Sequence, residues 1–224
     1  MHNLLVFIIP LYDDIIGLLG ISVILSSLYM QGQSYVDPII RAIAIQSLFI
    51  AILIAILFLQ NGDINLLYLA IITAAMRVIV FPKIMLYQVR HFKHSLREKG
   101  SNQKTPSLML IGIIVVIIGY TIFKTVLFPL IPDTQQASIP FILLLLGFLL
   151  IITRRDTLAQ ISGYIQEENA ILYIGAIITP GIQLLTEFAV VLDIFGVVIL
   201  GVILSKQRNV FRTLDREVIE QLKG

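Results

Sequence analysis

The chain has 224 residues, 58% hydrophobic and only 13% charged, too little charge for the surface of a soluble domain, where about 25% is usual. A lipid membrane is therefore the expected environment of this chain, and its net charge of +2 does not suggest nucleic-acid binding. Because the sequence has no cysteine, disulfides, iron–sulfur clusters, thiolate metal sites and a cysteine nucleophile are excluded within it.

Apolar runs of roughly 20 residues, the length that crosses a bilayer core, predict an all-α transmembrane bundle of about seven spans. The first run is a span and not a cleaved signal, because Asp13 and Asp14 interrupt it and no basic segment precedes it. Whether these two aspartates lie in the membrane or at its outer surface stays open. The predicted spans are residues 5–30, 38–60, 64–87, 107–131, 138–153 (a short one), 157–179 and 181–204.

The positions of Lys and Arg test this span count, because loops rich in these residues remain cytoplasmic. With the N-terminus outside, thirteen of the sixteen basic residues fall on the cytoplasmic side of the membrane. The other three, Arg77, Lys83 and Lys124, fall within spans, so none is left for the outer loops. The sequence therefore predicts an N-outside, C-inside protein of the cell membrane.

The predicted membrane domain has four parts, and no convincing internal repeat is evident. They are a three-span segment (1–90), a basic cytoplasmic loop (91–106), a four-span segment (107–204) and a cytoplasmic tail (205–224). Apolar residues recur at helical spacing in the tail, which predicts an amphipathic helix lying on the membrane or on the protein itself. A docking surface for a soluble partner is the alternative interpretation of that helix.

Two acidic residues are predicted near the membrane midplane. Pro180 marks the outer turn between the last two spans, with Glu168 12 residues before it and Asp193 13 residues after it. At 1.5 Å per residue, both carboxylates lie roughly 18–20 Å from that turn. An ionisable group at such a depth costs about 2.5–3.5 kcal/mol on insertion scales, so it usually faces a partner, a cavity or an ion path.

Basic residues occur at matching depths. Arg77 is 13 residues into the third span, which allows an ion pair with Glu168 or Asp193. Nearer the outer surface, Lys124 is 7 residues before the end of the fourth span and Glu187 is 7 residues past the outer turn, so these two could also pair. Lys124 could instead extend its long side chain to the interface.

The sixth span carries a polar stripe. Its members, at spacings i, i+4, i+7 and i+11, are Ser162, Gln166, Asn169 and Tyr173. A helix side this polar cannot face lipid, so it packs against protein or lines water. Glu167 and Glu168 point about 100° apart, so that one can face the stripe and the other a different neighbour. Gln46 in the second span lies at a similar depth.

These polar residues have two interpretations. Buried polar groups and Arg–Glu pairs can simply hold the helices of a membrane bundle together. Carboxylates at the midplane with basic neighbours can also exchange protons, and the alignment of the whole set near one depth favours a proton path. The predicted proton-path residues are Arg77, Lys124, Glu167, Glu168, Glu187 and Asp193.

Three motifs inside the spans resemble a known family. They are the pair Glu168-Asn169 followed by apolar residues, the acids Glu187 and Asp193 before Gly196, and a basic residue shortly before a proline within residues 75–82. The last three spans resemble the small chain K (4L) subunit of respiratory complex I and its counterpart in cation antiporters. The whole chain resembles hydrogenase-4 component E. The family usually has Lys at position 77 and Gly at position 170, where this chain has Arg and Ala.

The resemblance implies a scaffolding membrane-arm subunit of a complex I-like energy-converting hydrogenase, which contributes mid-membrane carboxylates to H⁺ or Na⁺ translocation. It assigns Glu168, and Asp193 or else Glu187, to the proton path. It implies that this chain holds no cofactor and catalyses nothing on its own, and that the nickel–iron and iron–sulfur centres belong to partner subunits. Those partners would include antiporter-like subunits. The guanidinium of Arg77 stays charged, so Arg77 is not expected to release a proton.

Two other classes of function are less favoured. A stand-alone small ion transporter, or an antiporter subunit, is the alternative, but seven spans are few and no inverted repeat is evident. An enzyme acting alone is disfavoured because no histidine lies in a span to activate a serine, and because Asp13-Asp14 lacks a second acidic cluster. The three histidines predict no metal site.

Overall fold

A computed structural model describes residues 2–91, 105–129, 137–178 and 196. Every regular element within these residues is helical, and no strand occurs among them. The elements are α1 (His2–Gln31), α2 (Val36–Asn61), α3 (Ile64–Thr73), π1 (Ala74–Val80), α4 (Phe81–His91), α5 (Thr105–Ile122), π2 (Phe123–Leu127), α6 (Ser138–Thr153) and α7 (Thr157–Ile178), where π1 and π2 are π-helical. The segments α3, π1 and α4 follow one another without a break, as do α5 and π2.

Four helical stretches are long and apolar enough to cross a membrane, judged by length and composition. They are Asp14–Gln31, Val36–Asn61, Ile64–Tyr87 and Ser107–Leu127. α6 is apolar but has 16 residues, and α7 has 22 residues with a polar side. The chain is thus an all-helical membrane protein over the part that the structure describes. Seven spans and the N-outside orientation stay predictions.

The first six predicted spans coincide with helices of the structure to within a few residues. The seventh, 181–204, lies outside the described residues apart from Gly196. The tail 205–224 and most of the loop 91–106 also lie outside them, so the amphipathic character of the tail stays a prediction.

The helices form a bundle in which α7 packs against α6 and α2, while α1 packs against α2 and α6. α5 lies at the edge, on α6 and α1, and most of its side chains are exposed. One apolar cluster joins α2 and α4 to the ends of α6 and α7 around Ile40 and Leu158. A second cluster, around Leu53 and Leu143, fills the space between α1, α2, α3, α6 and α7.

A buried arginine fixes the ends of two helices together. Arg154, just after α6, is only 3% exposed and donates to the carbonyl oxygens of Met30 (2.9 Å), Gln31 (2.8 Å) and Gln33 (2.6 Å). The last carbonyls of a helix have no intrahelical donor, and the guanidinium supplies donors to those at the end of α1. α1 and α6 therefore end on the same side of the bundle, as the predicted alternation of spans requires.

The two π-helical segments precede prolines. In π1 the N–H of Phe81 bonds to the carbonyl of Met76, and the next residue is Pro82. A proline in an α-helix lacks a donor and clashes with the carbonyl four residues earlier, and a wider π turn relieves that clash. π2 precedes Pro129 in the same way. Arg77 and Lys124, each five residues before its proline, lie in these two segments.

Candidate functional site

The polar stripe of α7 is buried against protein. Ser162, Gln166, Asn169 and Tyr173 are all 0% exposed. This confirms that the polar side of the helix does not face lipid. The stripe packs towards α1 and α2, whose own buried polar residues (Ser27, Gln46 and Ser47) meet it.

Arg77 and Glu168 form an ion pair at the centre of a buried polar cluster. The other members of this cluster are Ser27, Gln46, Ser47, Gln166 and Asn169. Arg77 Nη2 is 3.0 Å from Glu168 Oε2, and the two side chains are 0% and 1% exposed. Arg77 thus pairs with one of the two acids that its depth allowed, while the other, Asp193, lies outside the described residues. Each residue is near the middle of its helix: ten residues of α7 follow Glu168, the last being Ile178, which is about 15 Å of helix. The pair therefore lies far from either end of the bundle.

Asn169 binds the same guanidinium and connects it to α2. Its Oδ1 accepts a hydrogen bond from Arg77 Nη1 at 3.0 Å. Its Nδ2 donates to Ser47 Oγ at 2.9 Å and to Gln46 Oε1 at 3.3 Å. Buried charges are tolerated only when further hydrogen bonds satisfy their remaining polar atoms, and Asn169 does this for Arg77.

Hydrogen bonds continue from this cluster along α7 towards α1 and α6. Gln166 accepts from the Ser27 hydroxyl at 3.0 Å and donates to the Leu143 carbonyl at 3.0 Å. Gln46 donates to the Val23 carbonyl at 3.3 Å. The cluster therefore links five separate helices, α6 through a backbone carbonyl and the other four through side chains, and its geometry depends on the packing of all five.

Glu167 and Glu168 face different surroundings, as their separation around the helix predicts. Glu168 faces Arg77, while the Cγ of Glu167 lies beside Gly147 of α6. Glu167 is half-buried. Its Oε1 is shielded from solvent and has no hydrogen-bond partner among the described residues.

Gly196 is the one residue of the predicted last span that the structure describes. A Cβ at this position would lie 3.3 Å from Phe81 Cζ and 3.9 Å from Glu168 Oε1. Residue 196 thus lies directly beside the buried ion pair. Asp193 and Glu187 are outside the described residues, so their predicted roles and the pair between Lys124 and Glu187 stay predictions.

Lys124 does not join the Arg77 cluster within the described part of the chain. It is exposed, next to a small hollow lined by Tyr120, Phe123, Phe128 and Ser138. It lies three residues before the end of the stretch Ser107–Leu127, where its side chain can extend to the interface. No group of three His, Asp or Glu residues suited to a metal ion occurs among the described residues.

Sequence reasoning missed two members of the cluster. Ser27 and Ser47 are small hydroxyl residues in apolar helices, where serine commonly bonds to its own backbone. Their one available signal was the depth they share with the polar residues of α7, and depth does not show which helix faces meet.

Comparisons with known proteins give distant relatives. The chain is 24% identical over 203 residues to an uncharacterised protein of Mycobacterium tuberculosis. The matched region covers 89% of this chain and 92% of that protein. It is also 27% identical over 150 residues to hydrogenase-4 component E of Escherichia coli strain K12. This matched region covers 66% of this chain and 69% of the relative. The same values hold for hydrogenase-4 component E of Shigella flexneri. No protein-family model and no solved structure matches the chain.

Proposed function

We propose that this chain is a membrane subunit of a hydrogenase-like, complex I-related assembly, and that Glu168 carries protons across the middle of the bundle. The observation that carries this proposal is the ion pair of Arg77 with Glu168, buried midway along two helices. The similarity to hydrogenase-4 component E supports the assignment to an assembly of this kind. The chain would act in the cell membrane beside antiporter-like subunits, while partner subunits hold the redox centres.

Glu168 is the group that would change protonation. A carboxylic acid can take up and release a proton, whereas a guanidinium stays charged in proteins. Arg77 would therefore serve as a fixed counter-charge that stabilises the carboxylate after it releases its proton. Asn169 keeps Arg77 hydrogen-bonded in both states of Glu168, so protonation of the acid does not leave the guanidinium without an acceptor.

The hydrogen-bonded surroundings limit how far the pair can separate. The Asn169 amide is held by Ser47 and Gln46 of α2, so the second terminal nitrogen of Arg77 is anchored independently of Glu168. Gly196 leaves the space beside Glu168 Oε1 without a side chain of its own. We infer that protons reach and leave Glu168 on the side of residue 196, and that Asp193 in the same predicted span receives them. Glu187 and Lys124 would belong to a shallower part of that route.

The test uses membrane vesicles that contain the full chain together with its neighbouring subunits. Glu168→Gln removes the protonatable group and keeps the shape of the side chain. We expect proton uptake per hydrogen turnover, read from a pH-sensitive dye and a hydrogen electrode, to fall at least about tenfold. Glu168→Asp retains a carboxylic acid and should retain most of the proton uptake.

A double variant keeps the experiment interpretable if Glu168→Gln alone prevents assembly. Glu168→Gln alone leaves the charge of Arg77 buried without its acid, which destabilises the bundle. Arg77→Gln combined with Glu168→Gln replaces the ion pair by two amides, which can bond to each other. If this assembled double variant translocates protons at the original ratio, Glu168 is a structural residue and the proposal is wrong.

A further inference from the structure

Asp14, Lys83, Lys124 and Glu167 are charged, lie within predicted spans and form no ion pair among the described residues. Glu167 differs from the other three in its surroundings. Lys83 and Lys124 are exposed, and they lie four and three residues from the ends of their stretches at Tyr87 and Leu127. Their long side chains can extend to the interface at those distances. Asp14 is exposed at the first residue of its stretch. The charges of these three residues can therefore remain hydrated.

Glu167 cannot reach water in this way. It has ten residues of α7 before it and eleven after it, so about 15 Å of helix separates it from either end. A glutamate side chain is far shorter than that distance. No salt bridge or hydrogen bond of Glu167 occurs among the described residues, and its Oε1 is shielded without a partner. Charged groups at this depth face the bundle interior or a partner.

The side of α7 that carries Glu167 is its outward side. Tyr164 and Ile171, one turn before and one turn after Glu167, are respectively half-buried and 40% exposed. This side lies away from the buried stripe of Ser162, Gln166, Asn169 and Tyr173. The exposed surface around Glu167 is thus apolar and aromatic, with one carboxylate near its centre.

Two glycines hold the carboxylate in place. A Cβ at Gly147 would lie 2.7 Å from Glu167 Cγ and 3.2 Å from the Gly163 carbonyl oxygen. A Cβ at Gly163 would lie 3.1 Å from the Gly147 carbonyl oxygen. Because neither residue has a side chain, α6 and α7 approach closely and the Glu167 stem lies flat against α6. The carboxylate is therefore fixed at the edge of the α6–α7 contact.

We propose that the face of α7 around Tyr164, Glu167 and Ile171 binds a transmembrane helix of a different polypeptide that brings a lysine, arginine or histidine to the level of Glu167. The partner's cation neutralises a carboxylate that the described residues leave uncompensated, and its apolar side chains cover Tyr164 and Ile171. This inference rests on the proposed membership of a multi-subunit membrane assembly. It assigns to Glu167 a role in subunit contact that is separate from the proposed proton carrier Glu168.

The experiment places a photo-crosslinking phenylalanine analogue at position 171 of the full chain, in membranes that contain its neighbouring subunits. Ile52 of α2 is a matched control position, because it is 41% exposed against 40% for Ile171. Mass spectrometry of the adduct at position 171 should identify a membrane-spanning peptide of another subunit that contains a basic residue. Glu167→Lys should lower this adduct at least about tenfold and leave any adduct at position 52 unchanged. A reciprocal change of the partner's basic residue to Glu should restore it.

The outcomes separate this inference from the proposed function. An adduct with lipid alone, with a second copy of this chain, with residues 179–224, or with a peptide lacking a basic residue would overturn the inference. So would an adduct at position 171 that Glu167→Lys leaves unchanged. If proton uptake survives the paired amide variant of Arg77 and Glu168 while the charge exchange at Glu167 behaves as expected, the proton role fails and the docking surface stands.

Discussion

Asn169 Oδ1 accepts a hydrogen bond from Arg77 Nη1, one residue along α7 from the carboxylate that binds the other terminal nitrogen of the same guanidinium. Two consecutive residues of α7 thus hold both ends of the guanidinium fork. A lysine ammonium has three donors but no planar fork, so it would hold these two acceptors with a different geometry. The resemblance to a family that usually has Lys at this position therefore does not make Arg77 and Lys equivalent here.

Substitutions of Arg77 should distinguish its charge from its geometry. Arg77→Ala leaves Glu168 buried without a cation, which should cost about 3–5 kcal/mol of stability. Arg77→Lys keeps the charge but loses the fixed geometry of the guanidinium fork, and we expect a smaller loss. The measurement is the midpoint of thermal unfolding in detergent, followed by size-exclusion chromatography of the full chain. A midpoint for Arg77→Lys equal to that of the unaltered chain would show that the fork geometry is unimportant, and one equal to that of Arg77→Ala would show that the charge alone does not stabilise the bundle.

Asn169→Leu tests the link between the ion pair and α2. The amide makes three buried hydrogen bonds, and a leucine would leave polar atoms of Arg77, Gln46 and Ser47 without this partner. Each such loss costs about 1–3 kcal/mol, so the unfolding midpoint should fall sharply.

Ser162→Ala is the matched control for Asn169→Leu. Ser162 belongs to the same buried stripe, but among the described residues its hydroxyl bonds only to the Leu158 carbonyl of its own helix. Its removal should change the midpoint little, because no partner on another helix loses a bond. A large loss of stability in Ser162→Ala, or none in Asn169→Leu, would contradict the hydrogen-bond arrangement described above.

Much of the architecture follows from helical periodicity alone. Apolar runs predicted the six described helices, because a bilayer fixes both the length and the apolar character of a span. The stripe from Ser162 to Tyr173 was predicted from its spacing, and its complete burial confirms the prediction. Depth counting along the spans also predicts Arg77 and Glu168 at one level, and the two side chains are in contact. These features depend on one helix at a time.

Features that depend on contacts between two helices could not be predicted from the sequence. Arg154 follows a predicted span, so it was counted as one of the basic residues that hold a loop in the cytoplasm. In the structure it binds three carbonyl oxygens near the end of α1, more than a hundred residues earlier. The contact between Arg77 and Glu168 likewise depends on how their helices rotate and pack. Periodicity gives each helix a polar side but does not say which neighbour that side meets.

Arg154→Met should therefore destabilise the bundle although it lies at the end of a helix. Methionine fills a similar volume without donors, and the carbonyl oxygens of Met30 and Gln31 at the end of α1 and of Gln33 just after it would lose a charged partner. Hydrogen bonds to charged groups contribute about 1.5–3 kcal/mol each, so the unfolding midpoint should fall clearly. Arg90→Met, at an exposed position near the end of α4, removes the same charge and is the control. Equal effects of both changes would indicate that charge alone matters here.

Gly163→Ala and Gly17→Ala should change stability in opposite directions. Both glycines lie inside helices, where alanine is favoured over glycine by about 0.5–1 kcal/mol. A Cβ at Gly17 would meet no atom within 4 Å, so Gly17→Ala should raise the unfolding midpoint. A Cβ at Gly163 would lie 2.8 Å from Ile151 Cγ1 and 3.1 Å from the Gly147 carbonyl oxygen.

Relief of that crowding requires α6 and α7 to move apart, because a backbone carbonyl cannot rotate away as a side chain can. The resulting loss of packing along the contact should exceed the gain in helix propensity, so the midpoint of Gly163→Ala should fall. The same movement shifts Gly147 away from the Glu167 stem, so the crosslink from position 171 should weaken together with the stability. A rise in the midpoint of Gly163→Ala, as for Gly17→Ala, would mean that α6 and α7 do not pack this closely.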